Sequence, residues 1–281
     1  MQKDPDNIIG AGSYFGLVNG FKIKDGKILE KSFSRNPILA YQNLDYIRSL
    51  LVNRVAWSKF NAMPDVAGGF GIWRRDILLK LGGYATDFSS EDIEFTFRAH
   101  DYIRENKKQD NKIIMLPFFV GWTEGPGNIF SFIMQRNRWQ RVVNETIWKY
   151  KHMIFSPRHG LFEFMTLPYY LFYEVLGVFF EVASITLVTI GMIMRMLDFN
   201  TFLAFLIMMA LFHAIISLLS LFIFIRNQKV FRPNDVVYFV ILSFSEFLWY
   251  RWLMTLAKLL GTFSWFRGNR AYDQYVRRRI K

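Results

Sequence analysis

The chain has 281 residues, 35 Lys and Arg against 23 Asp and Glu, a net charge of +12, and 52% hydrophobic residues, with 30 Phe. High charge and high apolar content together exclude a disordered or collagen-like chain, and the absence of cysteine excludes a disulfide framework, a thiolate metal site and a cysteine nucleophile. The basic residues flank apolar stretches and form no aromatic-interleaved patch, which argues against a nucleic-acid partner.

Residues 1–157 alternate helical and strand-like patterns with turn residues, the punctuation of an α/β domain. Near the start, Gly10-Ala11-Gly12 with Gly16 and a later Glu30 imitates a dinucleotide loop. Only Ile8 and Ile9 precede it as strand, and Gly20 and Gly26 break the helix that should follow. Asp4-Pro5-Asp6 has the spacing of a cation-gripping pair, but its central proline reads as a solvated turn. Asn36-Pro37 opens a helix as N-cap and first helical residue, with apolar positions at Ile38, Leu44, Ile47, Leu51 and Val55 and an end at Pro64. Arg74 to Leu81 is a short helix closed by Gly82-Gly83, and Ser89-Ser90 caps another running to about Glu105. Lys112 to Val120 reads as a buried strand, and Asn128 caps a helix from Ile129 to about Tyr150.

Residues 158–281 form an α-helical membrane region. Leu161 to Leu197 is apolar but carries Glu163, Glu174, Glu181 and Arg195, which predicts an interfacial helix entering a span at about 176–197. The second span, about 202–225, has no charge over 24 residues. As a helix it is roughly 36 Å long, enough to cross a hydrocarbon layer of about 30 Å. Arg226, Lys229 and Arg232 follow it, so the positive-inside rule makes that loop and the α/β part cytoplasmic; the membrane expected is the plasma (inner) membrane. The segment 236–260 is ambiguous, because Glu246, Arg251 and Lys258 interrupt it and the basic tail with Arg277-Arg278-Arg279 follows. A third crossing would put that tail outside, against the charge rule. Either this segment lies partly in the interface, which we favour, or a further crossing exists within Leu161 to Leu197.

His100, His152, His159 and His213 are scattered without metal-ligand spacing, and for His213 a hydrogen bond to a neighbouring helix is expected. Three clusters carry more chemistry. Ser90-Glu91-Asp92-Ile93-Glu94 puts three acids at a helix start, where free amides stabilise them and where a carboxylate is placed to act as general base. In Gln135-Arg136-Asn137-Arg138-Trp139, positions 135, 138 and 139 share a helical face. A guanidinium there suits pyrophosphate, and an indole suits a sugar face. The turn Ala67-Gly68-Gly69-Phe70-Gly71 lets backbone approach a ligand.

Taken in order, Gly68 to Arg75, Gly82-Gly83-Tyr84, Ser90-Glu91-Asp92, Trp122-Thr123-Glu124 and Gln135 to Trp139 resemble the membrane-bound processive family-2 glycosyltransferases, which include cellulose, chitin and hyaluronan synthases. The fold class implied is α/β, a partial glycosyltransferase-A-like domain, followed by the membrane helices. The resemblance implies that Asp92 is the catalytic base and that Glu91 supports it. Gln135 and Arg138 would bind the pyrophosphate of a nucleotide sugar. Trp139, Gly69, Phe70, Gly71, Trp122 and Glu124 would line the acceptor, a growing polysaccharide or a lipid-linked sugar. Ser90 stands where the family often has Thr. The family's nucleotide-binding half, with its D-x-D for Mg²⁺ or Mn²⁺, finds no counterpart in this sequence, so no metal ligand is assigned. The chain is expected to be either a truncated product or one half of a split enzyme completed by a second chain, and to be inactive without the missing half. The alternatives are non-processive transfer to a lipid carrier and a non-catalytic membrane scaffold or transporter subunit. Finally, Glu163, Tyr170, Glu174 and Glu181 keep one helical stripe, predicted to face the polymer path or the bundle interior with Arg251 as a partner.

Overall fold

The computed structural model describes residues 7–106, 110–156, 160–227 and 232–268. Asp4-Pro5-Asp6, His159, Lys229 and the basic tail beyond 268 lie outside the described residues. A three-stranded sheet of order β4-β1-β5 organises the α/β part. β1 (Ile8–Leu17) runs parallel to β5 (Lys112–Thr123) and antiparallel to the short β4 (Gly71–Trp73). β2 (Lys22–Lys24) and β3 (Lys27–Glu30) form a separate hairpin whose turn, Asp25-Gly26, has both residues at positive φ, the Asp-Gly signature of a tight hairpin. The glycines that imitate a dinucleotide loop lie within β1. A Cβ at Gly10 would stand 2.3 Å from the Trp73 ring, so that glycine makes room for an indole across the sheet.

Helices cover the sheet and extend beyond it. α1 (Pro37–Tyr46) begins as expected: Asn36 accepts the Ile38 N–H at 2.9 Å and Pro37 takes the first position. The rod continues through a π-helical stretch, Ile47–Asn53, into α2 (Arg54–Lys59), ending five residues before Pro64. α3 (Arg75–Lys80) closes on Gly82 and Gly83, both at positive φ. α4 (Glu91–Glu105) starts at Ser90, and α5 (Ile129–Lys149) is capped by Asn128, which accepts the Ser131 N–H at 2.8 Å. The outer edge of β5 is closed by the end of the α2 rod, where Ser58 Oγ accepts from Met115 N–H and Asn61 Oδ1 from Ile113 N–H.

Three helical runs are long and apolar enough to cross a membrane: Phe162–Ile193, Phe199–Arg226 and Pro233–Phe266. The first is π-helical over Phe162–Thr166, passes through α6 (Leu167–Tyr169) and a second π stretch, Tyr170–Val175, and bends at Leu176 before α7 (Gly177–Ile193). The bend falls where the expected interfacial helix hands over to a span. α8 (Phe199–Asn227) starts three residues before the expected 202 and runs two beyond 225. The third run comprises α9 (Pro233–Ser245), a π turn at Glu246–Tyr250, and α10 (Arg251–Phe266). His213 departs from expectation: its Nδ1 lies 2.9 Å from Met209 O of its own helix, which satisfies the ring locally, while the ring packs 5.2 Å from Phe247.

One core serves both parts of the chain. Ile9, Tyr14, Leu44 and Ile47 pack with Leu221, Phe224, Phe239 and Tyr250, so the boundary expected near 157 is crossed by continuous apolar packing. Two acids of the first apolar run, Glu174 and Glu181, are satisfied by cations of the third, while Glu163 is buried at its start. Glu181 pairs with Arg251 and accepts from Thr255, and Glu174 pairs with Lys258 at 2.6 Å. The remaining interrupting charge, Glu246, receives Arg48 at 2.7 Å and the Ser217 hydroxyl at 2.7 Å. The stripe of acids therefore faces the helix bundle, and the charges that make 236–260 look unsuited to an apolar setting are matched inside the protein.

Candidate functional site

The acids of α4 divide by what holds them. Glu94 is buried, with Arg98 at 2.7 Å, Lys149 at 2.9 Å and the Tyr150 hydroxyl at 2.8 Å. Burial opposes its charge, but these three donors together hold its carboxyl below the usual carboxylate range. It ties α4 to the end of α5. Glu91 is exposed, and Asp92 sits half-buried at the helix mouth. Asp92 Oδ1 accepts from the Ser90 hydroxyl at 2.6 Å and from Ile93 N–H at 2.8 Å, and Oδ2 accepts from Gly68 N–H at 3.0 Å. A carboxylate oxygen has two acceptor positions, so Oδ2 keeps one for a further donor. A Cβ on Gly68 would stand 3.5 Å from Asp92 Oδ2 and 3.6 Å from Glu91 Oε1, which places the glycine turn directly over both acids. Tyr84 joins them: burial first, then the charges of Glu91 and Asp92, push its phenol upward.

From that turn a series of rings leads away. Phe70 stacks on Phe15 at 4.4 Å, Phe15 meets Tyr46 at 5.6 Å, and Tyr46 lies 6.4 Å from Trp139. The Ser13 hydroxyl donates to Phe70 O at 2.6 Å, and a Cβ on Gly121 would strike the Phe70 ring at 2.4 Å, so β1 and β5 fix the first ring. The turn, the α4 acids and α5, three segments distant in sequence, are thus joined by direct contacts. Gly69 and Gly71 lie in the same turn as Gly68 and Phe70.

On α5 the expected single face is divided. Trp139 is partly exposed, Arg138 is half-buried, and Gln135 is buried with its Oε1 lacking a hydrogen-bond partner. An orphan acceptor suits a hydroxyl donor better than a phosphate. Trp122 stands apart from the ring series, between Phe21 at 4.4 Å and Phe119 at 4.0 Å with Lys31 5.6 Å above its ring. Glu124 follows β5 and is half-buried.

Several residues of this region were not singled out in the sequence. Arg136, two positions from the expected guanidinium, lies 4.4 Å above the Trp139 ring and 3.5 Å from Asp45 Oδ2. Tyr250 donates to the same Asp45 oxygen at 2.5 Å, and Arg48 reaches Asp45 and Glu246 together. Asp65, three residues before Gly68, pairs with Arg54 at 2.6 Å and leaves Oδ1 buried without a partner. Burial pushes its carboxyl upward, and the nearby Asp92 charge acts in the same direction against the pull of Arg54. Its place immediately upstream of a glycine turn was the only available signal. Nothing local marks Tyr46 or Asp45, whose partners lie about 90 and 200 residues away.

Among the described residues no three His, Asp or Glu side chains are placed to hold a metal ion. Asp92 is surrounded by N–H and O–H donors, an environment that does not fit a divalent cation. No protein-family model matches the chain, and no curated protein matches it.

Proposed function

We propose that this chain is the acceptor-side portion of an inverting membrane glycosyltransferase, one that moves a sugar from a nucleotide sugar to a growing polysaccharide. The observation that carries the reading is the closure of the Gly68–Gly71 turn over Asp92, with the Phe70, Phe15, Tyr46 and Trp139 rings leading from it. The exposed Trp139 indole and the half-exposed Phe70 ring suit the faces of sugar units, with Phe15 and the buried Tyr46 packed between them, and a carboxylate with one free acceptor position suits removal of a hydroxyl proton.

In the proposed reaction the acceptor hydroxyl gives its proton to Asp92 as its oxygen bonds to the anomeric carbon. The bond from that carbon to the nucleoside diphosphate breaks, and the electron pair leaves with the diphosphate. Ser90, Ile93 and Gly68 hold the carboxylate by donating to it. Arg138 serves the diphosphate. The nucleotide pocket and the Mg²⁺ or Mn²⁺ that the reading requires belong to a nucleotide-binding half, and no step here is assigned to that ion. The setting is the plasma (inner) membrane, with the α/β part cytoplasmic.

The test is to co-express the chain with a nucleotide-binding half and supply labelled nucleotide sugars to membranes. Polymer formed by wild type and lost in Asp92→Asn supports the reading. Labelled lipid in place of polymer would make the acceptor a lipid carrier, and turnover unchanged in Asp92→Asn would remove Asp92 as base. Trp139→Ala should raise the acceptor KM more than it lowers kcat.

A further inference from the structure

The run Pro233–Phe266 is 34 residues long. At its start Arg232 pairs with Glu30 at 2.7 Å, Asp235 with Arg35 at 3.0 Å, and the Tyr238 hydroxyl donates to Arg35 O at 2.9 Å. In its middle Tyr41 and Ser245 hydroxyls meet at 2.7 Å and Tyr250 reaches Asp45. At its end Asn137 bonds Ser264 at 3.3 Å, Asn144 bonds Thr262 at 3.2 Å, and Trp148 lies 6.0 Å from Trp265. Gly261 permits this approach, since a Cβ there would stand 2.6 Å from Asn137 O. Both ends of the helix therefore rest on the α/β part. They could occupy opposite sides of a bilayer only if α5 crossed with it, and α5 carries Arg136, Arg138, Arg141, Glu145 and Lys149.

The opposite face of the same run is one apolar stripe: Val237, Ile241, Phe244, Leu248, Trp252 and Leu256, all exposed and three or four residues apart. Beyond it, Phe266 is 67% exposed and Trp148 61% exposed. Lys151 Nζ stands 3.9 Å above the Trp148 ring, and Arg267 follows Phe266 at the surface. Neither cation has a carboxylate partner among the described residues. Indoles and phenyls beside free cations, at the end of an apolar stripe, match the boundary between acyl chains and phosphate headgroups.

We propose that helix 233–266 lies in the plane of the bilayer surface without crossing it, and that Trp148, Lys151, Trp265 and Arg267 form a contact for the headgroups of anionic phospholipids. The α/β part and the end of this helix then share one face of the membrane. The proposal does not depend on the glycosyl-transfer reading.

Because the chain has no cysteine, single cysteines report directly. Lys24→Cys and Arg267→Cys, in sealed membrane vesicles of one orientation, should react with an impermeant maleimide from the same side; labelling from opposite sides overturns the proposal. For the headgroup contact, the full chain in nanodiscs of phosphatidylcholine with added phosphatidylglycerol should retain phosphatidylglycerol preferentially. Lys151→Gln and Arg267→Gln should each weaken that preference about five-fold. Both side chains are exposed, so the fold survives the changes. No preference in wild type, equal preference in the variants, or displacement of the lipid by inorganic phosphate at matched ionic strength would overturn it.

Discussion

Asp92 and Glu246 are carboxylates at the first turn of a helical segment, and they are held in opposite ways. Asp92 receives two amides and one hydroxyl, pairs with no cation among the described residues and stays half-open. Glu246 is buried and takes both nitrogens of Arg48 together with the Ser217 hydroxyl. The first arrangement leaves acceptor capacity for chemistry. The second consumes it to fasten α8 and the third helical run to the α1 rod. The environment of the acid, more than its residue type, separates a candidate base from a structural tie.

That contrast is open to measurement, most sharply where the charge is deepest. Glu246→Leu leaves the Arg48 guanidinium with Asp45 as its remaining carboxylate and should destabilise the protein by up to about 3–5 kcal/mol. Adding Arg48→Met should restore most of that loss, read as thermal unfolding in detergent. A failure of the double variant to recover would mean that the pair does more than neutralise itself.

Next comes a buried group with no counter-charge. His100 is buried against Phe162, its Nε2 is 2.8 Å from Met63 O, and burial lowers its pKa from 6.5 to about 4. A depressed histidine pKa means that the unfolded chain takes up a proton first. Stability is therefore full above pH 6.5 and falls as the pH drops toward 4, by roughly 3 kcal/mol. His100→Gln should flatten that acid limb in unfolding measured from pH 7 to pH 4.

Smaller again is the packing test. Gly261→Val drives a side chain into Asn137 and Gln140 and should cost about 1–3 kcal/mol, with the Trp148 and Trp265 emission shifting as α10 lifts from α5. Least affected should be Asp92→Asn. It removes a helix-mouth charge worth about 0.3–1 kcal/mol and so should leave the melting transition nearly unchanged. If Asp92→Asn proved as damaging as Glu246→Leu, the division between a working and a fastening carboxylate would fail.

Local chemistry made much of the fold readable. Asn36-Pro37, Gly82-Gly83 and Asn128 mark their helix ends because caps depend on side chains within three or four residues. The stripe of Glu174 and Glu181 was readable for the same reason, since helical spacing fixes which residues share a face. The candidate site was only half-readable. The glycine turn and the α4 acids were visible as separate motifs, but their contact through Gly68 was not. Trp122 was expected at the acceptor and packs elsewhere with Phe21 and Phe119, while Arg136 holds the position over Trp139 that helical spacing alone did not single out.

By itself the sequence determined the main helix starts, the start of β5, the three apolar runs and the motifs that carry charge, since each follows from neighbours a few residues apart. Only the tertiary structure decided which acid meets which cation, that Phe70, Phe15, Tyr46 and Trp139 form one series, and that the third run rests on the α/β part at both ends. Those outcomes depend on packing between segments up to about 200 residues apart, such as Arg48 with Glu246. A guanidinium chooses its carboxylate by distance in space, and no local pattern records that distance.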